Sequence, residues 1–294
     1  MSLGQGDYAY EYCGDWAGLA ADYRGGWIPG VACDSQDRVF VYSRSETPLE
    51  VYDRDGIHLA SWGAGVLQPN CAHGIFVDRE DNVFVTDATD HAIYKFSPAG
   101  QLLMTLGTPG KAGGRAGDPF DRPTDMAIAS NGDILVSDGY GNHHVHRYSA
   151  TGEHICTWGG SGSGPGEFSI SHTVRVDKAD RVWTCDRENG RLQIFDLDGR
   201  FIDEWTGLLR PNNIFIDDAA GVIYIAELGR RISIFDLATR ALVSSWGGGG
   251  DPSDVPGEFI GGPHGIWVDR HGDIYAGEVE LGEVGRLHKY VRCH

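Results

Sequence analysis

"HGIWVDRHGDIYAGE", residues 264–278, decides the fold. It reads as two short runs of alternating apolar residues joined by an Asp/Gly turn, the signature of a β-hairpin. The pattern recurs as "PGVACDSQDRVFVYSR" (29–44), "HGIFVDREDNVFVTD" (73–87) and "TDMAIASNGDILVSD" (124–138). It returns as "HTVRVDKADRVWTCD" (172–186) and "NNIFIDDAAGVIYIAE" (212–227). The first five copies run on into a third apolar run, such as "AIYKFSPAG" or "RLQIFDLDG". A fourth follows, ending at or near Trp-Gly: "HLASWG", "LLMTLG", "HICTWG", "FIDEWTG", "LVSSWG". Four strands in a repeat of roughly 40–50 residues predict a propeller blade. Six copies predict an all-β, six-bladed β-propeller forming a single domain over residues 1–294.

The sixth copy stops at its third run, "GRLHKYVRCH", with no Trp-Gly strand after it. "YEYCGDWAG" (10–18) parallels "RFIDEWTG" (200–207), so the segment around Tyr10–Trp16 is expected to form the outermost strand of the last blade. That pairing would close the ring and remove an exposed edge. The Gly-rich stretches "GTPGKAGGRAGDP" and "GGSGSGPGEF" read as inter-blade loops.

A formal charge of −18 disfavours nucleic acid or an anionic membrane as partners. No apolar run approaches the roughly 18 residues of a membrane-spanning helix. The first residues show no basic region followed by an apolar one, so no secretory leader is expected. Six cysteines form no CxxC pair, and most fall in apolar runs where a small buried thiol is expected. A monomer in the reducing cytoplasm fits these features, with secretion the alternative if a leader precedes the first residue.

Hairpin connectivity puts the start of strand one and the end of strand two on the same face of a blade. His73, His172 and His264 stand at the start of strand one in the second, fourth and sixth copies, where the others have Pro29, Thr124 and Asn212. Histidine is 12 of 294 residues, so three chosen positions fill by chance on the order of one time in ten thousand. Three neutral imidazoles with an open fourth position suit Zn²⁺. The ends of strand two carry Arg44, Asp87, Tyr140, Arg187, Glu227 and Glu278, all expected at the same mouth of the channel. Arg44 and Arg187 beside a metal make sense if an anionic ligand bridges them, with each guanidinium gripping a carboxylate. Tyr140, beside a metal and two arginines, has its phenolate form favoured, as a general base requires.

Other polar residues read as structural. Asp78, Asp177 and Asp269 lie in the turns between strands one and two, where they accept backbone N–H groups. His143, His144 and His146 read as a surface strand, with His144 and His146 on one side. Cys71 reads as packing at a strand start.

These motifs together resemble the peptidylglycine α-amidating lyase family, whose repeats are of NHL type. The likeness spans nearly the whole chain. It is strongest in "DRPTDMAIASNGDILVSDGYGNHHVHRYSATGEHICTWG", "GPGEFSISHTVRVD", "DRENGRLQIFD" and "GPHGIWVDRHGDIYAGE". The resemblance implies zinc on His73, His172 and His264, and catalytic residues Tyr140, Arg44 and Arg187. It also implies a structural Ca²⁺, but the family's aspartate in that site is Gly265 here, leaving backbone carbonyls near Val31 and Ile75. The family's half-cystine after the tyrosine is Gly141, so the matching disulfide is absent, which agrees with a cytoplasmic, prokaryote-like relative.

The expected activity is that of a zinc lyase cleaving the C–N bond of a small, carboxylate-bearing α-hydroxyglycine amide to an amide and glyoxylate. The alternatives are a metal-dependent lactonase-like hydrolase and a non-catalytic NHL interaction module.

Overall fold

Each hairpin of the first five repeats is extended by two more antiparallel strands. In the third copy the strands are Asp125–Ile128, Ile134–Asp138, His144–Tyr148 and His154–Gly159. Ile128 faces Ile134, Ser137 faces Val145, and Val145 faces Trp158. The computed structural model describes residues 2–19, 26–113, 120–248, 251–253, 255–281 and 284–293. Among them the strands form six sheets, one for each repeat. The protein is an all-β, six-bladed β-propeller. The blades are numbered 1 to 6 in the order of the repeats. The loop "GGSGSGPGEF" joins blades 3 and 4 as expected, whereas "GTPGKAGGRAGDP" lies partly outside the described residues.

The turns carry the chemistry read from the sequence. Oδ1 of Asp34, Asp78, Asp177 and Asp269 each accepts the backbone N–H groups two and four residues on. The residue three positions on takes positive φ in every case (Asp37 62°, Asp81 61°, Asp180 56°, Gly272 84°). A short carboxylate that caps its own turn is what permits this left-handed step.

By contact density the chain divides into two units, His73–Pro211 and Met1–Ala72 with Asn212–His294. In the first unit, blade 3 is packed on both faces. Met126, Ile134, Val136 and Tyr148 meet Phe84 and Ile93 of blade 2, while Ala127, Leu135 and Val145 meet Val174, Val182 and Phe195 of blade 4. Alternate residues of one strand thus serve opposite neighbours, so inner strands such as Val83–Asp87 are buried throughout. Of the outer strand Leu102–Gly107 only Leu106 is buried.

In the second unit, Ile274 and Ala276 of blade 6 pack with Val222, Tyr224 and Ile232 of blade 5. Tyr275 between them packs with Val39, Val41 and Tyr52 of blade 1. The N-terminus does complete blade 6, with one correction. The strand paired to Val284–Arg292 is Tyr8–Tyr12, with Tyr10 facing Arg292 and Tyr12 facing Tyr290. A further strand, Ser2–Gln5, lies outside it, so the blade has five strands. Trp16 is no strand residue. It is buried against Tyr52 and Tyr275, and its Nε1–H donates to the carbonyl of Arg54 at 3.0 Å. The Gly14 backbone (φ 77°) ends the strand before that tryptophan.

Leu3 and Tyr10 are both buried, which is worth roughly 3–6 kcal/mol together. Deleting residues 1–12 is therefore expected to lower the melting temperature by roughly 5–10 °C. An unchanged Tm in calorimetry would show that these strands add no stability.

The cysteines are less uniform than expected. All six are free thiols; Cys33 and Cys185 are buried, Cys71 and Cys156 half-buried, and Cys13 and Cys293 exposed at strand ends.

Candidate active site

The unit His73–Pro211 brings four of the candidate residues together. His73 and His172 sit in the first strands of blades 2 and 4 (Ala72–Val77, Ser171–Val176), and both are buried. Nδ1 of His73 lies 2.6 Å from the carbonyl oxygen of Thr124, so that nitrogen carries the proton and Nε2 is left as an electron-pair donor. The residue after it explains the approach. A Cβ on Gly74 would lie 2.6 Å from the same Thr124 oxygen, so only glycine lets the two strands come this close.

Tyr140 lies two residues beyond the second strand of blade 3 (Ile134–Asp138). Its hydroxyl is 3.0 Å from Nε2 of His73 and 3.2 Å from Nε2 of His172. Arg187, one residue past Val182–Asp186, directs Nη1 to the Tyr140 hydroxyl at 3.3 Å, with its guanidinium carbon 5.5 Å from the ring centre.

The other unit repeats the histidine device. His264 is buried in Gly262–Val268, with Nδ1 2.8 Å from the carbonyl oxygen of Pro29. A Cβ on Gly265 would lie 2.6 Å from that oxygen. Gly265 thus supplies no carboxylate for the Ca²⁺ that the family resemblance implies, and an aspartate there would need the neighbouring strand to move. The His264 carbonyl accepts Nδ2–H of Asn212 at 3.0 Å. Arg44 stacks over Trp27, 4.9 Å from the ring centre, and its Nε–H donates to the carbonyl of Ala72 at 3.3 Å.

The three carboxylates expected with these residues are engaged by the protein framework. Asp87, Glu227 and Glu278 are fully buried, as are their counterparts Asp138 and Asp186. Asp186 accepts Ser169 N–H, Arg191 Nε–H (2.7 Å) and Asn189 Nδ2–H (2.8 Å). Glu227 is held by Arg231 and Ser233, and Glu278 by His288 and the N–H of Gly261. Each is still inside the strand ladder, so its side chain stands on a sheet face, between blades. Arg187 and Tyr140 lie beyond the ladder, where side chains can turn elsewhere.

His146 is also corrected. It is buried, with Nε2 3.2 Å from Oδ2 of Asp138 and Nδ1 2.7 Å from Thr157 Oγ1. The carboxylate that buries it is supplied by the neighbouring strand, which its own strand does not reveal.

Sequence reading passed over Glu188, Arg210 and Arg122. Glu188 Oε1 accepts Nε–H of Arg187 at 2.7 Å and Nη2–H of Arg210 at 2.9 Å; Oε2 accepts Nε–H of Arg210 at 3.1 Å. Burial would raise the Glu188 carboxyl, but the Arg210 hydrogen bond and the Arg187 charge outweigh it and hold it below its ordinary value. Arg122 donates to the backbone carbonyl of Tyr140 at 3.0 Å. The "DRENGR" motif contains Glu188, but only the fold brings Arg210 to it.

Comparisons with known proteins follow the repeats. The NHL repeat model matches residues 120–148 and 172–195. NHL repeat-containing protein 3 of Homo sapiens is 31% identical over 285 residues, covering 89% of this chain and 80% of that protein. Peptidyl-alpha-hydroxyglycine alpha-amidating lyase 1 of Drosophila melanogaster is 32% identical over 279 residues, covering 84% of this chain and 49% of that protein. Among solved structures, a gluconolactonase of Xanthomonas campestris superposes with a TM-score of 0.67 at 14% identity, covering 97% of this chain and 90% of that one. At that identity the likeness concerns the fold alone.

Proposed function

The chain belongs to the family of NHL repeat-containing proteins, and from that premise we propose that it is a zinc-dependent lyase of α-hydroxyglycine amides. The substrate is R–CO–NH–CH(OH)–COO⁻, and the products are the amide R–CO–NH₂ and glyoxylate. The observation that carries the reading is the meeting of a phenol, two buried imidazoles and a guanidinium at the Tyr140 hydroxyl. Relatives named as amidating lyases, at about a third identity, point to the same class.

The donor set fits zinc. We assign the ion to His73, His172 and His264, each a buried imidazole. In two of them Nδ1 is bonded to a backbone carbonyl, so Nε2 is the ring nitrogen that carries the electron pair, as a borderline-soft cation prefers. When bound there, zinc would supply Lewis-acid polarisation of substrate oxygens.

The protein's own residues do the rest. Tyr140 takes the hydroxyl proton of the substrate, and the O–H electron pair becomes the second bond of the aldehyde. The C–N bond breaks with its pair on nitrogen, which takes up the proton to become the amide. Arg187 donates toward the Tyr140 oxygen, 3.3 Å away, and Arg187 with Arg44 binds the carboxylate.

The test is glyoxylate release from a panel of N-acyl-α-hydroxyglycines, with metal analysis of the purified protein. About one zinc per chain and an amide product from at least one substrate are expected. Calcium with lactone hydrolysis would instead favour the hydrolase reading. A chain with neither metal nor turnover would be an interaction module.

A further inference from the structure

We propose that Glu188 is a positioning residue: braced by Arg210, it sets the direction in which Arg187 presents its guanidinium to Tyr140. What the positioned group then does rests on the lyase reading above; the positioning itself does not.

A guanidinium is planar and rigid, so fixing one edge determines where the others point. Glu188 holds the Nε edge of Arg187 at 2.7 Å, and Nη1 of the same group is then 3.3 Å from the Tyr140 hydroxyl. A carboxylate one residue along the chain is by itself a loose anchor, free to follow the arginine it should restrain. Arg210 removes that freedom by bonding both oxygens, Nη2 to Oε1 and Nε to Oε2. Arg210 is itself fixed in a left-handed backbone step (φ 58°), just before the first strand of blade 5 (Pro211–Asp217). The direction of Arg187 is therefore set from Arg210, 22 residues beyond Glu188 in sequence.

Two effects of losing Glu188 oppose one another. Its negative charge weakens the field of Arg187, so neutralising it should strengthen attraction for an anionic substrate. Its hydrogen bond aims Arg187, so losing it should misdirect that attraction. The Glu188 side chain is 33% exposed, and solvent screens the charge effect. A misaimed group costs up to about a hundredfold in rate, so the geometric effect is expected to win.

The experiment compares Glu188→Gln, Arg187→Met and the double variant, each zinc-loaded, by steady-state kinetics and crystal structure. Glu188→Gln should lower kcat/KM by about tenfold or more, with unchanged zinc content, and its crystal structure should show the guanidinium turned away from Tyr140. In the Arg187→Met background the same change should cost nothing further, because Glu188 acts only through Arg187. A merely structural role would instead give additive losses. The proposal is overturned if Arg187 keeps its contact with Tyr140 in the Glu188→Gln crystal, or if the losses add. A wild-type protein that releases no glyoxylate would sink the lyase reading, while the crystal comparison still decides the positioning.

Discussion

Replacing Tyr140 by phenylalanine is expected to lower kcat/KM for an α-hydroxyglycine amide by roughly 10²–10⁴-fold, the usual range for loss of a general base. The change removes one oxygen and leaves the ring between His73, His172 and Arg187, whose contacts with it are partly face and edge packing. Both histidines are buried in strands, and Nδ1 of His73 is held by the Thr124 carbonyl, so zinc should remain at about one per chain. Metal analysis and kinetics on the same preparation separate the two roles. Full activity in this variant would mean that another group takes the proton, and the assignment of Tyr140 would fall. Loss of zinc along with activity would instead make the phenol part of the metal site.

His172→Ala should remove stoichiometric zinc and take turnover with it. Two remaining imidazoles leave the ion short of the three protein ligands typical of a catalytic zinc site. His172 is buried at a strand start, so truncation also leaves a small cavity, and thermal melting must accompany the metal assay. In the wild type, added zinc should raise Tm by mass action, since it binds the folded chain; in His172→Ala the rise should vanish. A variant that still melts cooperatively and still carries about one zinc would show that His172 is not a ligand.

Much of the architecture was legible in the chain. Periodic alternation, Asp-capped turns and recurring Trp-Gly strands predict hairpins and then blades, because these are local properties: alternation places side chains on sheet faces, and an aspartate caps its own turn within four residues. The incomplete sixth copy also pointed correctly to an N-terminal partner strand. The reading placed that strand too late, because Trp16 resembles the tryptophan closing each outer strand. In the structure its indole serves the packing of blades 6 and 1 instead.

Of the candidate site, hairpin connectivity sufficed to bring His73, His172, Tyr140 and Arg187 into one neighbourhood, since topology alone decides which strand ends share a face. It could not separate Arg187 from Asp186, one residue earlier. That distinction depends on where the hydrogen-bonded ladder stops, and the last paired residue turns its side chain between blades while the next is released. Nor could it find pairs joining distant segments. Arg175 stands where other repeats carry Phe76 or Ala127, and read alone it is a charge misplaced in a core strand. The fold brings it to Asp125 of blade 3, with Nη1 2.6 Å from the carboxylate and 3.2 Å from the Met126 carbonyl oxygen. Burial raises the Asp125 carboxyl, while the Arg175 charge draws it back down. Repeat pattern and turn chemistry are written in neighbouring residues, so the blades and the strand ends holding the candidate residues can be read from the chain alone. Partners for charged side chains come from segments 22 to 50 residues apart, as with the half-exposed Glu188 and Arg210 or the buried Asp125 and Arg175, and they follow from tertiary packing alone.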